Sequence, residues 1–107
     1  MNPEHTRTLT VRANPSEAFS ALLEAARRAG FRFLSSDASE GTAVFTSARV
    51  MLNFGERIHA RVVEVAPGTV QVTLASTPAN TAGGGSRTLG VGADEIGDVL
   101  STLLPLA

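Results

Sequence analysis

The stretch "GERIHARVVEV", residues 55–65, alternates: Ile58, Ala60 and Val62 are apolar, and Arg57, His59 and Arg61 fall between them. A period of two marks a strand with one buried face, so a basic stripe is expected on the side facing away from the core. "TVQVTLAST", residues 69–77, repeats the pattern, with Val70, Val72 and Leu74 inward and Thr69, Gln71 and Thr73 outward. "RTLTVR", residues 7–12, gives a first strand with Leu9 and Val11 inward. "FRFLS", residues 31–35, is a short strand with Phe31 and Phe33 on one face, and "TAVFTSAR", residues 42–49, sets Ala43 and Phe45 against Val44 and Thr46. "SDASEG", residues 36–41, and "APG", residues 66–68, supply turns.

Two segments change period. "NPSEAFSALLEAARRAG", residues 14–30, has Asn14 as N-cap, Pro15 at the first helical position and Glu17 placed to close a capping box. Ala18, Phe19, Leu22, Leu23 and Ala26 make its apolar stripe, Glu24 faces Arg27 and Arg28, and Gly30 ends it. "ADEIGDVLSTLL", residues 93–104, carries Ile96, Val99, Leu100 and Leu103 at helical spacing, with Asp94, Glu95 and Asp98 near the positive end of its dipole. Gly97 weakens that helix by roughly 0.5–1 kcal/mol relative to alanine, which predicts close approach to another element.

The predicted order is β-α-β-β-β-β-α. Short turns join the last four strands, so they pair antiparallel. The resulting fold is α+β: a single antiparallel sheet of about five strands with both helices on one face, in one domain spanning residues 1–107. The strand order is expected to be 2-3-4-5-1. The first and second strands are then bare edges that invite strand addition, and a homodimer is a natural outcome.

This order resembles the TBP-like fold, whose repeat is also β-α-β4-α, and which includes the TATA-binding proteins and, in longer form, helix-grip proteins that hold apolar ligands between helix and sheet. The run "LLEAARRAGFRFLSSD…GTAVFTS…NFGERIHARVVEV" is also similar to small bacterial domains of unknown function, which carry a Gly-aromatic start to the second strand and an aromatic-Gly-Glu start to the fourth, here Phe54, Gly55 and Glu56. Neither resemblance implies a specific activity, and this chain lacks the strongly basic concave sheet of the DNA binders.

Composition narrows the chemistry. The chain has no cysteine, so it has neither disulfides nor a thiolate metal site, in keeping with a reducing, cytoplasmic setting. Every basic residue is arginine, which removes lysine Schiff-base chemistry and any Walker-type lysine. A net charge of −1 disfavours a general nucleic-acid binder. "MNPEHTRTLT" has no apolar run to act as a signal peptide, and no stretch is long enough to span a membrane.

Two surfaces attract attention. Arg57, His59 and Arg61 share the outer face of the fourth strand, with Thr46 beside them and Arg32 one strand further; this is a candidate anion or partner face. Without Tyr or Trp it has no base-stacking platform. Val50, Met51, Leu52 and Phe54 are apolar where a hairpin tip is usually polar, and form a candidate partner patch. The glycine-dense stretch 78–92 contains neither a GK[ST] signature nor G-x-G-x-x-G after a strand, and reads as connector or lid. His5 and His59 are far apart in sequence, and no acid or nucleophile is matched to either, so neither a metal site nor a catalytic constellation is expected. The sequence thus points to a non-enzymatic binding module without cofactor, contacting a protein partner or a small apolar ligand. The alternative is a weak nucleic-acid or anion binder through the sheet face.

Overall fold

The computed structural model describes residues 5–47, 56–78 and 91–107. These form β1 (His5–Arg12), α1 (Pro15–Arg28), β2 (Phe31–Asp37), β3 (Thr42–Ser47), β4 (Glu56–Ala66), β5 (Thr69–Pro78) and α2 (Val91–Leu103). The five strands make one sheet in the order β1-β5-β4-β3-β2, antiparallel throughout, and both helices lie on one face. The α+β architecture and strand order are those the sequence predicts.

Helix α1 starts where its first residues dictate. Asn14 Oδ1 accepts from the Glu17 N–H at 2.8 Å, and Glu17 Oε1 accepts from the Asn14 N–H at 3.0 Å, which closes the capping box. The helix ends at Ala29, and Gly30 follows at φ +89°, a left-handed conformation that costs glycine nothing. Its buried face is Ala18, Leu22, Ala25 and Ala26. Phe19 and Leu23, expected in the stripe, are only half-buried and pack against the periphery of that core, because the face turned to the sheet is that of Ala18, Leu22, Ala25 and Ala26.

The core lies between the helices and the inner sheet face. Val11, Val70, Val72, Leu74, Ile58 and Phe45 come from the sheet, and Leu22, Ile96 and Leu100 from the helices; each is at most 1% exposed. Burying a side chain of this size contributes about 1.5–3 kcal/mol, which makes this contact the main source of stability. Ser76 is also fully buried, and its hydroxyl has no hydrogen-bond partner among the described residues.

Several boundaries differ from the sequence reading. β1 begins at His5, because pairing with β5 continues to Ser76. β2 runs on to Asp37, past the expected end at Ser35. It does so by a bulge: Phe33 pairs with Phe45 and Ser35 with Val44, so Leu34 is an extra residue in the strand. β1 is also not a bare edge. After α2 the chain turns back, Pro105 O accepts from Arg12 N–H at 2.8 Å, and Ala107 N–H donates to Thr10 O at 2.9 Å. This short antiparallel bridge at Leu106 covers the second half of β1, whereas β2 keeps its edge among the described residues.

Candidate functional site

The outer sheet face is built by register. Arg57 lies between Thr46 of β3 and Thr77 of β5, and Arg32 of β2 pairs with the same Thr46. His59 lies between Val44 and Ala75, and Arg61 between Thr42 and Thr73. All four predicted residues, Arg32, Arg57, His59 and Arg61, are therefore on one face, and all four are exposed. Successive side chains on one face of a strand are about 6.6 Å apart, so Arg57 and Arg61 bracket roughly 13 Å with His59 midway. Around His59 and Arg61 the face dips into an open depression of about 540 Å³, whose walls include Val44, Val63, Gln71 and Thr73.

Arg12 belongs to this face as well. It pairs with Thr69 at the far end of β1, and alternation from Leu9 and Val11 was the signal that places it outward. Among the described residues none of Arg12, Arg32, Arg57 and Arg61 has an ion-pair partner. The arginines on the helix side are paired. Arg7 Nη1 reaches Asp98 Oδ1 at 2.9 Å, and Glu24 holds Arg27 at 2.6 Å and Arg28 at 2.7 Å. Those two hydrogen-bonded guanidinium groups pull the Glu24 carboxyl down to about 2, and Glu24 in turn raises Arg27.

Asp37 is the acid at the rim of the outer face. It pairs with Thr42, which neighbours Arg61. Its Oδ1 is already engaged by the Ser39 hydroxyl at 2.6 Å and by the N–H groups of Ser39 and Glu40, and these bonds lower its pKa. Among the described residues the arginines without an ion pair thus lie on the sheet face, with Asp37 at its rim, whereas Glu17, Glu24, Asp94, Glu95 and Asp98 lie on the helices.

Surface concavities also lie on the helix side, two of them between described residues. One, of about 420 Å³, lies between the start of α1 and the β2–β3 turn and is lined by Pro15, Phe19, Ser39, Glu40 and Val62 among others. The second, about 330 Å³, is an apolar notch between α1 and the β2 edge, walled by Leu23, Ala26, Phe31, Phe33 and Phe45 with Arg27 at its lip. Sequence reasoning missed this notch because Phe33 alternates correctly for a core residue. The edge position leaves it 56% exposed. The predicted patch Val50, Met51, Leu52 and Phe54 lies outside the described residues, as does most of the glycine-rich stretch 78–92. Among the described residues no group of three or more His, Asp and Glu is placed to hold a metal ion. No described helix is long and apolar enough to cross a membrane.

No family model matches the chain, and no curated protein matches it. Among solved structures it is similar to a structural-genomics target from Thermobifida fusca determined by solution NMR. The identity is 12% and the TM-score 0.53, over 95% of this chain and 83% of that one. At that identity the likeness concerns the fold: a small α+β domain with a bacterial counterpart.

Proposed function

We propose that this domain is a non-enzymatic interaction module that docks an extended acidic segment of a protein partner on its outer sheet face. One observation carries the reading: Arg32, Arg57, His59 and Arg61 share one exposed face and have no ion-pair partner among the described residues, with Asp37 only at the rim of that face, in a chain whose net charge is −1. An extended peptide repeats its side chains at nearly the spacing of Arg57, His59 and Arg61, so acids at alternate positions match the stripe. Threonines and Gln71 flank the arginines with hydrogen-bonding groups of their own.

A nucleic acid fits less well. The aromatic Phe33 belongs to the helix side, so the described outer face offers no Phe, Tyr or Trp for bases to stack on. A small apolar ligand finds the interior occupied by the core side chains, and the concavities beside it open at the surface and are small. We read the β-α-β4-α order as kinship with TBP-like and helix-grip domains, and the cysteine-free chain as suited to the cytoplasm.

Titration with a labelled peptide of alternating glutamate and threonine, beside a single-stranded oligonucleotide of equal charge, tests the reading. The peptide is expected to bind with an affinity that falls as salt rises, and Arg57→Ala with Arg61→Ala to weaken it about tenfold. Equal peptide affinity in the double variant, or tighter oligonucleotide binding lost in that variant, overturns it.

A further inference from the structure

The β2 edge carries a pairing code of its own. Bulges at sheet edges commonly blunt pairing, but this one also changes which residues share a face. Arg32 and Asp37 are five residues apart and in a regular strand would project to opposite sides. Because Leu34 is an extra residue, Arg32 pairs with Thr46 and Asp37 with Thr42, both on the outer face. Likewise Phe33, opposite Phe45, and Ser36, opposite Ala43, both face the helix layer. Arg32 to Asp37 are all exposed.

We propose that β2 pairs antiparallel with β2 of a second copy, in the register that sets Arg32 opposite Asp37 of the other copy, Phe33 opposite Ser36 and Leu34 opposite Ser35. In this register each opposed pair outside the two central residues lies on one face, and a twofold axis repeats the arginine–aspartate pair. Shifting by one residue sets Phe33 against Ser35 or Asp37, which project to the other side. Among the described residues only Oδ1 of Asp37 is committed, to its own turn, which leaves Oδ2 to accept from Arg32 of the second copy. The apolar notch beside Phe33 lies on the same edge and would be flanked by the added strand.

The occupant is a second copy because the complementarity is internal: the strand carries at one end the charge it needs at the other. The association closes at two. With the second half of β1 strapped by Pro105–Ala107, β2 is the sheet edge left open along its whole length among the described residues, and a shared β2–β2 seam uses both copies' edges. This goes beyond the peptide-docking reading and rests on different contacts, although Arg32 takes part in both.

Sedimentation and native mass spectrometry of the peptide-free chain give the first test, with a dimer expected at micromolar concentration. Arg32→Glu, at an exposed position, sets like charges opposite each other twice and is expected to weaken dimerisation at least about tenfold. Single-cysteine variants then read the register, since the natural chain has no cysteine. Opposed residues have Cα atoms about 4.5–5.5 Å apart, within disulfide range, whereas Phe33 and its symmetry mate would be separated by about three residues of strand. An equal mixture of Phe33→Cys and Ser36→Cys is therefore expected to form the mixed disulfide, and neither variant alone to cross-link efficiently. A monomer at all concentrations, showing that the bulge guards the edge, overturns the proposal. So does a dimer indifferent to Arg32→Glu, or one in which cysteines at position 33 cross-link with each other as fast as with those at position 36.

Discussion

Arg7 of β1 lies across Gly97 of α2. A Cβ at position 97 would sit 3.0 Å from the Arg7 Cζ and Nε atoms and 3.2 Å from Cδ. The guanidinium is held there by Asp94 O at 2.9 Å and Asp98 Oδ1 at 2.9 Å. The glycine is thus a groove in the helix through which an arginine ties β1 to α2. Gly97→Ala should raise stability by about 0.5–1 kcal/mol in an Arg7→Ala background, where only helix propensity changes. In the intact chain the same substitution pushes the guanidinium off Asp98, and the gain should vanish or reverse, leaving a coupling of about 1 kcal/mol. Equal effects of Gly97→Ala in both backgrounds, measured by urea unfolding, would show that Arg7 gives way freely.

That groove was legible in the sequence as a helix glycine without a local reason, but its partner was not. Arg7 reads as an ordinary polar residue at the start of a strand. The elements that showed clearly were those whose pattern and environment agree: the alternation of β4 and β5, each buried on one side, and the Asn14–Glu17 box. What the sequence hid arises from pairing. Nothing in "FRFLSSD" announces that Leu34 will bulge, because the extra residue is defined only against β3. Nothing in "PLA" announces a strap, because Pro105 and Ala107 lend only backbone groups to β1. The basic face was readable because strand parity alone places Arg57, His59 and Arg61, whereas the notch at Phe33 depends on β2 being an edge.

Gly41 and Gly68 both take positive φ, +71° and +74°, but differ in what surrounds them. A Cβ at Gly41 would meet the Val62 carbonyl oxygen at 2.5 Å, and at Gly68 it would meet nothing within 4 Å. Gly68→Ala should cost about 1–2 kcal/mol for the left-handed backbone alone. Gly41→Ala should cost about 2–4 kcal/mol, because it must also disturb the 2.7 Å bond from Val62 N–H to Gly41 O that fastens the β2–β3 turn to β4. Thermal unfolding of the two variants measures the difference, and equal losses would contradict the close approach.

Ser76 is wholly buried on the inner sheet face, paired with Ile58 on one side and His5 on the other. Its hydroxyl finds no partner among the described residues and so carries the desolvation cost of an unpaired polar group. Ser76→Ala removes that group with little loss of volume and should stabilise the domain by about 1 kcal/mol. A loss of stability on calorimetry would reveal a partner for the hydroxyl.

The Glu24 carboxyl is drawn down from its ordinary value of 4.5 to about 2 by hydrogen bonds from Arg27 and then Arg28. Its folded-state value lies below the unfolded one, so its contribution is complete above the ordinary carboxylate range and fades as pH falls toward about 2. Comparing unfolding of the natural chain with Glu24→Gln across acid pH should show a gap that is constant near neutrality and closes on acidification. High salt should narrow the gap, because all three side chains are at least partly exposed. A gap that persists at the acid end would assign it to helix packing instead.

Deleting residues 105–107 strips the strap from β1. Two backbone hydrogen bonds go, Arg12 N–H to Pro105 O and Ala107 N–H to Thr10 O, at 2.8 and 2.9 Å. Each is worth about 0.5–1.5 kcal/mol net and both are near solvent, so the shortened chain should lose about 1–2 kcal/mol of stability. The larger consequence is topological. A chain with one open edge closes on itself at two copies through β2, whereas a chain with two open edges can extend the sheet without limit. The shortened chain should therefore sediment as a concentration-dependent ladder of species heavier than the dimer, and Arg32→Glu introduced into it should shorten that ladder. If the shortened chain keeps the mass of the intact one, the tail serves stability alone and the β1 edge is guarded by its own residues.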